Sequence, residues 1–188
     1  MLLYFKSRYI TQTVVENNVA MKSEFNRSSY FLVFIFFLAQ ILSNRASDSN
    51  GLGEGIEWKT WTEGKSIAKE SGRPLMVVLH KSWCPACKSL KPKFAASKPL
   101  EKLSSQFVMV NAKEGEQPME DSKFNIDGQY IPRIIFLDSN ENVLEDVINE
   151  DGNPQYKYYH MNAESIVQSM KKVIMLSADT KKDHDKEL

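Results

Sequence analysis

The sequence predicts an α/β domain with a mixed central sheet flanked by helices, and three observations carry that reading. Residues 75–79 (LMVVL) and 107–110 (FVMV) are continuous apolar runs bounded by breakers or polar residues, the pattern of strands buried on both faces. A third run, residues 133–137 (RIIFL), meets Asp138-Ser139-Asn140-Glu141, whose turn chemistry predicts a hairpin with residues 142–148 (NVLEDVI). Segments with helical signals separate the first two strands and close the chain.

Taken in order, Thr62 can cap a first helix, which Ser71-Gly72 and then Pro74 bring to a stop before the LMVVL strand. A second helix opens near Cys84 and runs through Lys88, Leu90 and Phe94, interrupted by Pro92. The final helix, residues 162–176, sets Ile166, Val167, Met170, Val173 and Ile174 on one face. No internal repeat or low-complexity stretch divides the chain. The expected organisation is an N-terminal extension and signal peptide over residues 1–46, a polar linker over 47–55, one domain over 56–176 and a charged tail over 177–188.

The signal reading rests on residues 30–42 (YFLVFIFFLAQIL), an apolar run of 13 residues broken only by Gln40. A bilayer span needs about 20 such residues, so this run predicts no stable membrane span. It has the form of a secretory h-region, with Lys22 and Arg27 before it and the small residues Ser43, Ala46 and Ser47 behind, and cleavage is expected after Ser43 or Ala46. A buried core helix would instead carry polar positions at a period of about 3.6 residues. Met21 stands where an initiator would fit that signal, leaving residues 1–20 as an upstream extension.

Composition narrows the function classes. With 188 residues, 42% of them hydrophobic and 26% charged, the chain can fold one ordinary domain. Lys plus Arg (24) equals Asp plus Glu (24), so no overall field favours nucleic acid. Residues 1–46 hold five basic and two acidic side chains, and without them 24 − 5 = 19 basic face 24 − 2 = 22 acidic residues, a mildly acidic domain. Two cysteines cannot supply four thiolates to a structural zinc, so they act as one pair.

That pair lies in Trp83-Cys84-Pro85-Ala86-Cys87, a C-x-x-C that follows a buried strand and opens a helix. A helix start presents unpaired N–H groups and the positive end of the macrodipole, which stabilise a thiolate. Cys84 is therefore expected as the exposed attacking nucleophile and Cys87, one turn further in, as the buried resolving thiol. Pro85 falls in the first turn, where a missing N–H costs little. Three other readings remain open. They are an inert structural disulfide, a metal half-site with His80, and a domain of this shape that only binds clients.

The segment Trp83-Cys84-Pro85-Ala86-Cys87-Lys88 resembles the thioredoxin superfamily. Pro92 sits where that family's long helix carries its kinking proline, and Ile131-Pro132 resembles the family's loop proline, which is cis and packs beside the disulfide. Residues 74–77 (PLMV), 80–84 (HKSWC), 90–94 (LKPKF), 107–111 (FVMVN), 128–133 (GQYIPR) and 152–158 (GNPQYKY) narrow the likeness. They are similar to small endoplasmic-reticulum proteins related to the anterior-gradient and protein disulfide isomerase families, over about residues 51–176. The resemblance implies a thioredoxin fold and thiol–disulfide exchange with cysteine-containing clients of the secretory pathway. It further implies Cys84 and Cys87 as the reacting pair, with Trp83, Pro85, Ala86, Ile131 and Pro132 shaping the site. Glutathione is the implied electron partner, the protein is expected to act as a monomer, and no metal or other cofactor is expected. The rival within the same family is a client-binding or folding-assistance module of anterior-gradient type, and the presence of both cysteines favours the enzyme.

Three departures from that pattern bear on chemistry. Pro85 stands where the similar proteins have glycine, so a redox potential does not transfer. Val78 occupies the position, six residues before Cys84, where thioredoxins keep a buried carboxylate that accepts the proton of the second cysteine. Proton transfer from Cys87 then falls to water, His80, Lys81 or an acid elsewhere. The ending Asp185-Lys186-Glu187-Leu188 resembles the K-D-E-L retrieval signal with its first two residues exchanged, and it predicts retention in the endoplasmic-reticulum lumen.

Overall fold

Each apolar run of the sequence becomes a strand because its backbone pairs within a sheet while its side chains are covered from both sides. The computed structural model describes residues 48–184, with side chains through Asp179; the signal segment and the 185–188 ending lie outside the described residues. The elements are β1 (Trp58–Lys59), α1 (Trp61–Ser71), β2 (Leu75–Leu79), α2 (Pro85–Ala96), α3 (Lys98–Ser104), β3 (Val108–Ala112), a 3-10 turn (Ser122–Phe124), β4 (Arg133–Leu137) and α4 (Ala163–His184). Strand order is β1-β3-β2-β4. β1 and β2 run parallel to β3, with Met76 opposite Met109 and Val78 opposite Asn111, while β4 is antiparallel to β2. This is the expected mixed sheet flanked by helices, a thioredoxin-like fold.

Alternation along the strands divides the core in two. Met76, Val78, Met109, Ile134 and Phe136 face α2, α3 and α4, where they meet Leu90, Phe94, Leu100, Ile166, Met170 and Val173. Leu75, Val77, Leu79, Val108, Val110 and Ile135 face α1 and the segment around Met119 and Phe124, meeting Trp61 and Ala68. All five residues of β2 are fully buried. Each fully buried Leu, Val or Met side chain contributes roughly 1.5–3 kcal/mol, so this central strand anchors the domain. Leu52, inside the segment read as a linker, is 1% exposed and joins the first cluster, so that segment packs on the domain.

Four local readings need adjustment. Thr60, not Thr62, caps α1, because the Thr60-x-x-Glu63 spacing forms a capping box: Thr60 Oγ1 accepts from Glu63 N, and Glu63 Oε2 accepts from Thr60 N at 3.2 Å. Gly72 ends the helix at φ +67°, a left-handed conformation that favours glycine. Helix α3 has its own cap, Ser97, which the sequence reading missed. The expected hairpin partner, residues 142–148, does not form a strand. Only an isolated bridge joins Leu137 to Val143, because the outer edge of β4 is shared: Leu144 N donates to Phe136 O, whereas Ile134 N donates to Tyr158 O at 2.9 Å. Finally, α4 runs past the expected end at Leu176 to His184, since no glycine or proline interrupts residues 177–184. No helix of the described residues is long and apolar enough to cross a membrane.

Candidate active site

The two cysteines are placed by the junction of β2 and α2. His80 N donates to Ala112 O at 3.0 Å, which carries the sheet pairing one residue past Leu79 before the chain turns at residues 81–83. Cys84 follows as the N-cap residue of α2, extended at φ −71° and ψ 123°, and Pro85 is the first helical residue. The Cys84 side chain makes no cap hydrogen bond, so its sulfur is left for chemistry at the positive end of the helix. Pro92 lies inside α2, which continues past it to Ala96. Cys87, Leu90 and Phe94 form the buried stripe of this helix.

The loop before β4 closes the site from the opposite side. The Ile131–Pro132 bond is cis, as the resemblance implies, and Cys84 Sγ points to Ile131 O at 3.8 Å. Buried Arg133 holds this loop: its Nη1 donates to Phe124 O, to Gly128 O at 2.7 Å and to Asn125 Oδ1 at 3.2 Å. Tyr130 Oη donates to Asp127 at 2.7 Å and accepts from Tyr158 N at 3.0 Å, tying the loop to the chain before α4. Beside Ile131 is a polar cavity of about 100 Å³ with Lys81, Gln129 and Arg133 in its wall.

Both thiols are free, and they differ in environment. Cys84 is 8% exposed and Cys87 1%, so the expectation of an exposed Cys84 is corrected to a narrow opening, because the 131–132 loop covers its sulfur. Burial by itself would push the Cys84 thiol up. The Cys87 N–H and thiol and the Ala86 N–H, whose polarity favours a thiolate at the helix start, together with the charge of Lys81, outweigh it and hold Cys84 below the ordinary thiol value. Cys87 is pushed up to about 11, first by burial and then by the neighbouring Cys84, although Lys81 N–H donates to its sulfur at 3.5 Å. One thiol is thus prepared to ionise and the other to keep its proton.

Of the residues singled out in the sequence, Trp83, Cys84, Pro85, Ala86 and Cys87 follow one another at the β2–α2 junction, and the structure brings Ile131, joined to Pro132 by the cis bond, against Cys84. Trp83 is 62% exposed beside the dithiol, with Lys81 Nζ 5.3 Å from its ring centroid. Sequence reasoning missed Glu114. Its carboxylate accepts from Ser82 N at 2.9 Å and from Ser82 Oγ, which lowers it to about 2 and pins the turn before Cys84 to the loop after β3. Asn111 and Arg133 were also missed. Their signal was a polar residue inside an otherwise apolar strand, at the end of FVMVNA and at the head of RIIFL. Val78 is fully buried and, being apolar, offers no proton acceptor. Among the described residues no group of three or more His, Cys, Asp or Glu side chains could hold a metal ion.

Residues 57–139 match a family model described as Thioredoxin-like. The chain is 34% identical over 129 residues to "Anterior gradient protein 2-B" of Xenopus laevis, covering 68% of this chain and 77% of that protein. It is 36% identical to "Anterior gradient protein 2 homolog" of Mus musculus, covering 68% and 72%. Among solved structures, "Solution structure of a thioredoxin from Thermus thermophilus" superposes with a TM-score of 0.46 at 17% identity, covering 69% of this chain and 95% of that one. By its matched length and identity to these relatives, the chain belongs to the anterior-gradient family of thioredoxin-like proteins.

Proposed function

We propose that the protein is a thiol–disulfide oxidoreductase of the secretory pathway, acting on cysteine-containing client proteins with glutathione as electron partner. The observation that carries the reading is the placement of the two free thiols at the start of α2, Cys84 at the N-cap with its sulfur 3.8 Å from Ile131 O and Cys87 on the buried stripe, surroundings that lower the first thiol and raise the second. In this account the Cys84 thiolate attacks a client disulfide, forming a mixed disulfide and releasing one client thiolate. Cys87 then attacks Cys84 Sγ, the second client thiolate leaves, and the Cys84–Cys87 disulfide remains. Run backwards, the same steps donate a disulfide.

Other residues shape the encounter. Ile131 keeps its backbone beside Cys84, and an extended client can pair there, while Trp83 supplies an exposed apolar face. No bound cofactor is invoked, since the dithiol itself carries the electrons. Residence in the endoplasmic-reticulum lumen follows from the signal-like and K-D-E-L-like segments, and the quoted sequence segments are similar to thioredoxin domain-containing protein 12 within the wider family. The protein is taken to act as a monomer.

Replacing the resolving thiol tests the proposal. Cys87→Ala is expected to accumulate mixed disulfides through Cys84, seen on non-reducing gels and lost on reduction. If Cys87→Ala traps nothing while Cys84→Ala still binds clients, the protein is a client-binding module.

A further inference from the structure

Cys87 needs a proton acceptor, and Val78, buried on the α2 side of the sheet, is apolar and supplies none. The same face of the sheet carries His80, two residues on from Val78 along the strand direction. Val78 and Met109 of that face pack with Leu90 and Phe94 of α2, and Cys87 belongs to the same buried stripe of α2. The Lys81 N–H, next in the chain after His80, donates to Cys87 Sγ at 3.5 Å. Lys91, one turn past Cys87 on α2, acts electrostatically on both the imidazole and the thiol. His80 is 2% exposed, and its link to the dithiol runs through the backbone of the next residue, Lys81.

A hydrogen-bond network assigns its tautomer. Asn111 Nδ2 donates to Asp48 O at 3.0 Å, and Asn111 Oδ1 accepts from Asn50 Nδ2 at 2.7 Å, which fixes the orientation of the amide. Its oxygen therefore faces His80 Nε2 at 3.5 Å, and Nε2 must carry the hydrogen. Nδ1 is then left with a bare lone pair, buried and without a hydrogen-bond partner among the described residues. An unpaired buried acceptor normally costs about 1–3 kcal/mol and calls for a reason. Nothing structural uses this nitrogen.

We infer that His80 Nδ1 is the base that takes the proton of Cys87, relayed through one water, when Cys87 attacks the mixed disulfide. The inference rests on the oxidoreductase reading above. In the step, the Cys87 S–H bond breaks and its proton goes to Nδ1, giving a thiolate and an imidazolium. The thiolate forms the Cys87–Cys84 bond as the Cys84–client bond breaks, and the imidazolium gives its proton to the departing client thiolate, or to solvent when that thiolate stays ionised, which returns His80 to its neutral form. The enzyme pair is oxidised by two electrons and the client disulfide is reduced to two thiols. The groups acting on His80 are Lys91 from α2 and Glu114 and Glu116 from the loop after β3. Burial first, and then Lys91, hold the imidazole below its ordinary value, so it is neutral and ready to accept at pH 7. Asn111 is a positioning residue that sets the tautomer.

The test is single-turnover reaction of the reduced protein with the aryl disulfide dithiobis-nitrobenzoate, which releases one coloured thiolate when Cys84 attacks and a second when Cys87 resolves. The second phase of the unaltered protein is expected to be nearly flat between about pH 6 and 8, because the proton moves internally. A thiol titrating alone, far below its own pKa, would give about tenfold per pH unit. His80→Gln and His80→Asn, which keep an amide but lack a basic nitrogen, should slow the second phase about 10- to 100-fold and restore that slope, with the first phase unchanged. A steep second phase in the unaltered protein, or variants with an unchanged second phase, would overturn the role of His80 alone. Release of only one thiolate by the unaltered protein would overturn the dithiol reading and this inference together.

Discussion

Cys84 and Cys87 stand three residues apart and are driven in opposite directions by one local feature, the first turn of α2. The unpaired N–H groups there face Cys84, whereas Cys87 is turned inward among apolar side chains. At pH 7 a brief alkylation should therefore label Cys84, and Cys87 should stay unlabelled until the pH approaches its value of about 11. Peptide mapping reads this directly, and preferential labelling of Cys87 would reverse the assigned roles. Lys81 is a smaller contributor. Its charge helps to lower Cys84, so Lys81→Met should slow alkylation of Cys84 at pH 7, by about two- to fivefold for a partly screened charge. An unchanged rate would show that backbone N–H groups do the whole work.

At the scale of elements, α1 shows where packing overrules propensity. Gly64 is in the helix interior, where alanine is normally the better residue by roughly 1 kcal/mol. A Cβ at Gly64, however, would lie 2.6 Å from Val110 Cγ2, a side chain fixed inside β3. Overpacking of this kind costs typically 1–3 kcal/mol, so Gly64→Ala should lower the urea midpoint, and a rise would contradict the packing of α1 on β3. The same distinction separates what could be read from the chain and what could not. The strands LMVVL and RIIFL and the dithiol at a helix start were legible, because apolar runs and the C-x-x-C spacing are local signals. The hairpin was not, since the edge of β4 at Ile134 is claimed by Tyr158, a residue remote in the chain. Glu114, Asn111 and Arg133 are tertiary partners of the site, and only their polarity within or beside apolar strands hinted at them.

The whole domain is a sheet closed by two apolar layers, and its buried titratable groups tie stability to pH. His160, 1% exposed in the segment before α4 with Nδ1 3.0 Å from Ser165 Oγ, is lowered by burial to about 4. An unfolded histidine takes its proton near pH 6.5, so between about 6.5 and 4 the unfolded state binds a proton that the native state does not. The stability contribution is complete above the unfolded value and is lost as pH falls through this window, about 3 kcal/mol for His160 alone. His80, also lowered by burial, adds loss in the same direction. Denaturant melts from pH 7 to 4 should show this decline, and His160→Gln should flatten it; an equally steep decline in the variant would remove His160 from the account. The central claim, that this domain exists to present a two-electron dithiol couple, is tested most directly by equilibrating the protein with glutathione buffers of graded redox ratio and trapping its thiols with acid. The account predicts one reversible transition in which Cys84 and Cys87 change state together as an intramolecular disulfide. A pair that stays reduced at every ratio, or a Cys84–glutathione adduct that persists while Cys87 remains a free thiol, would contradict it.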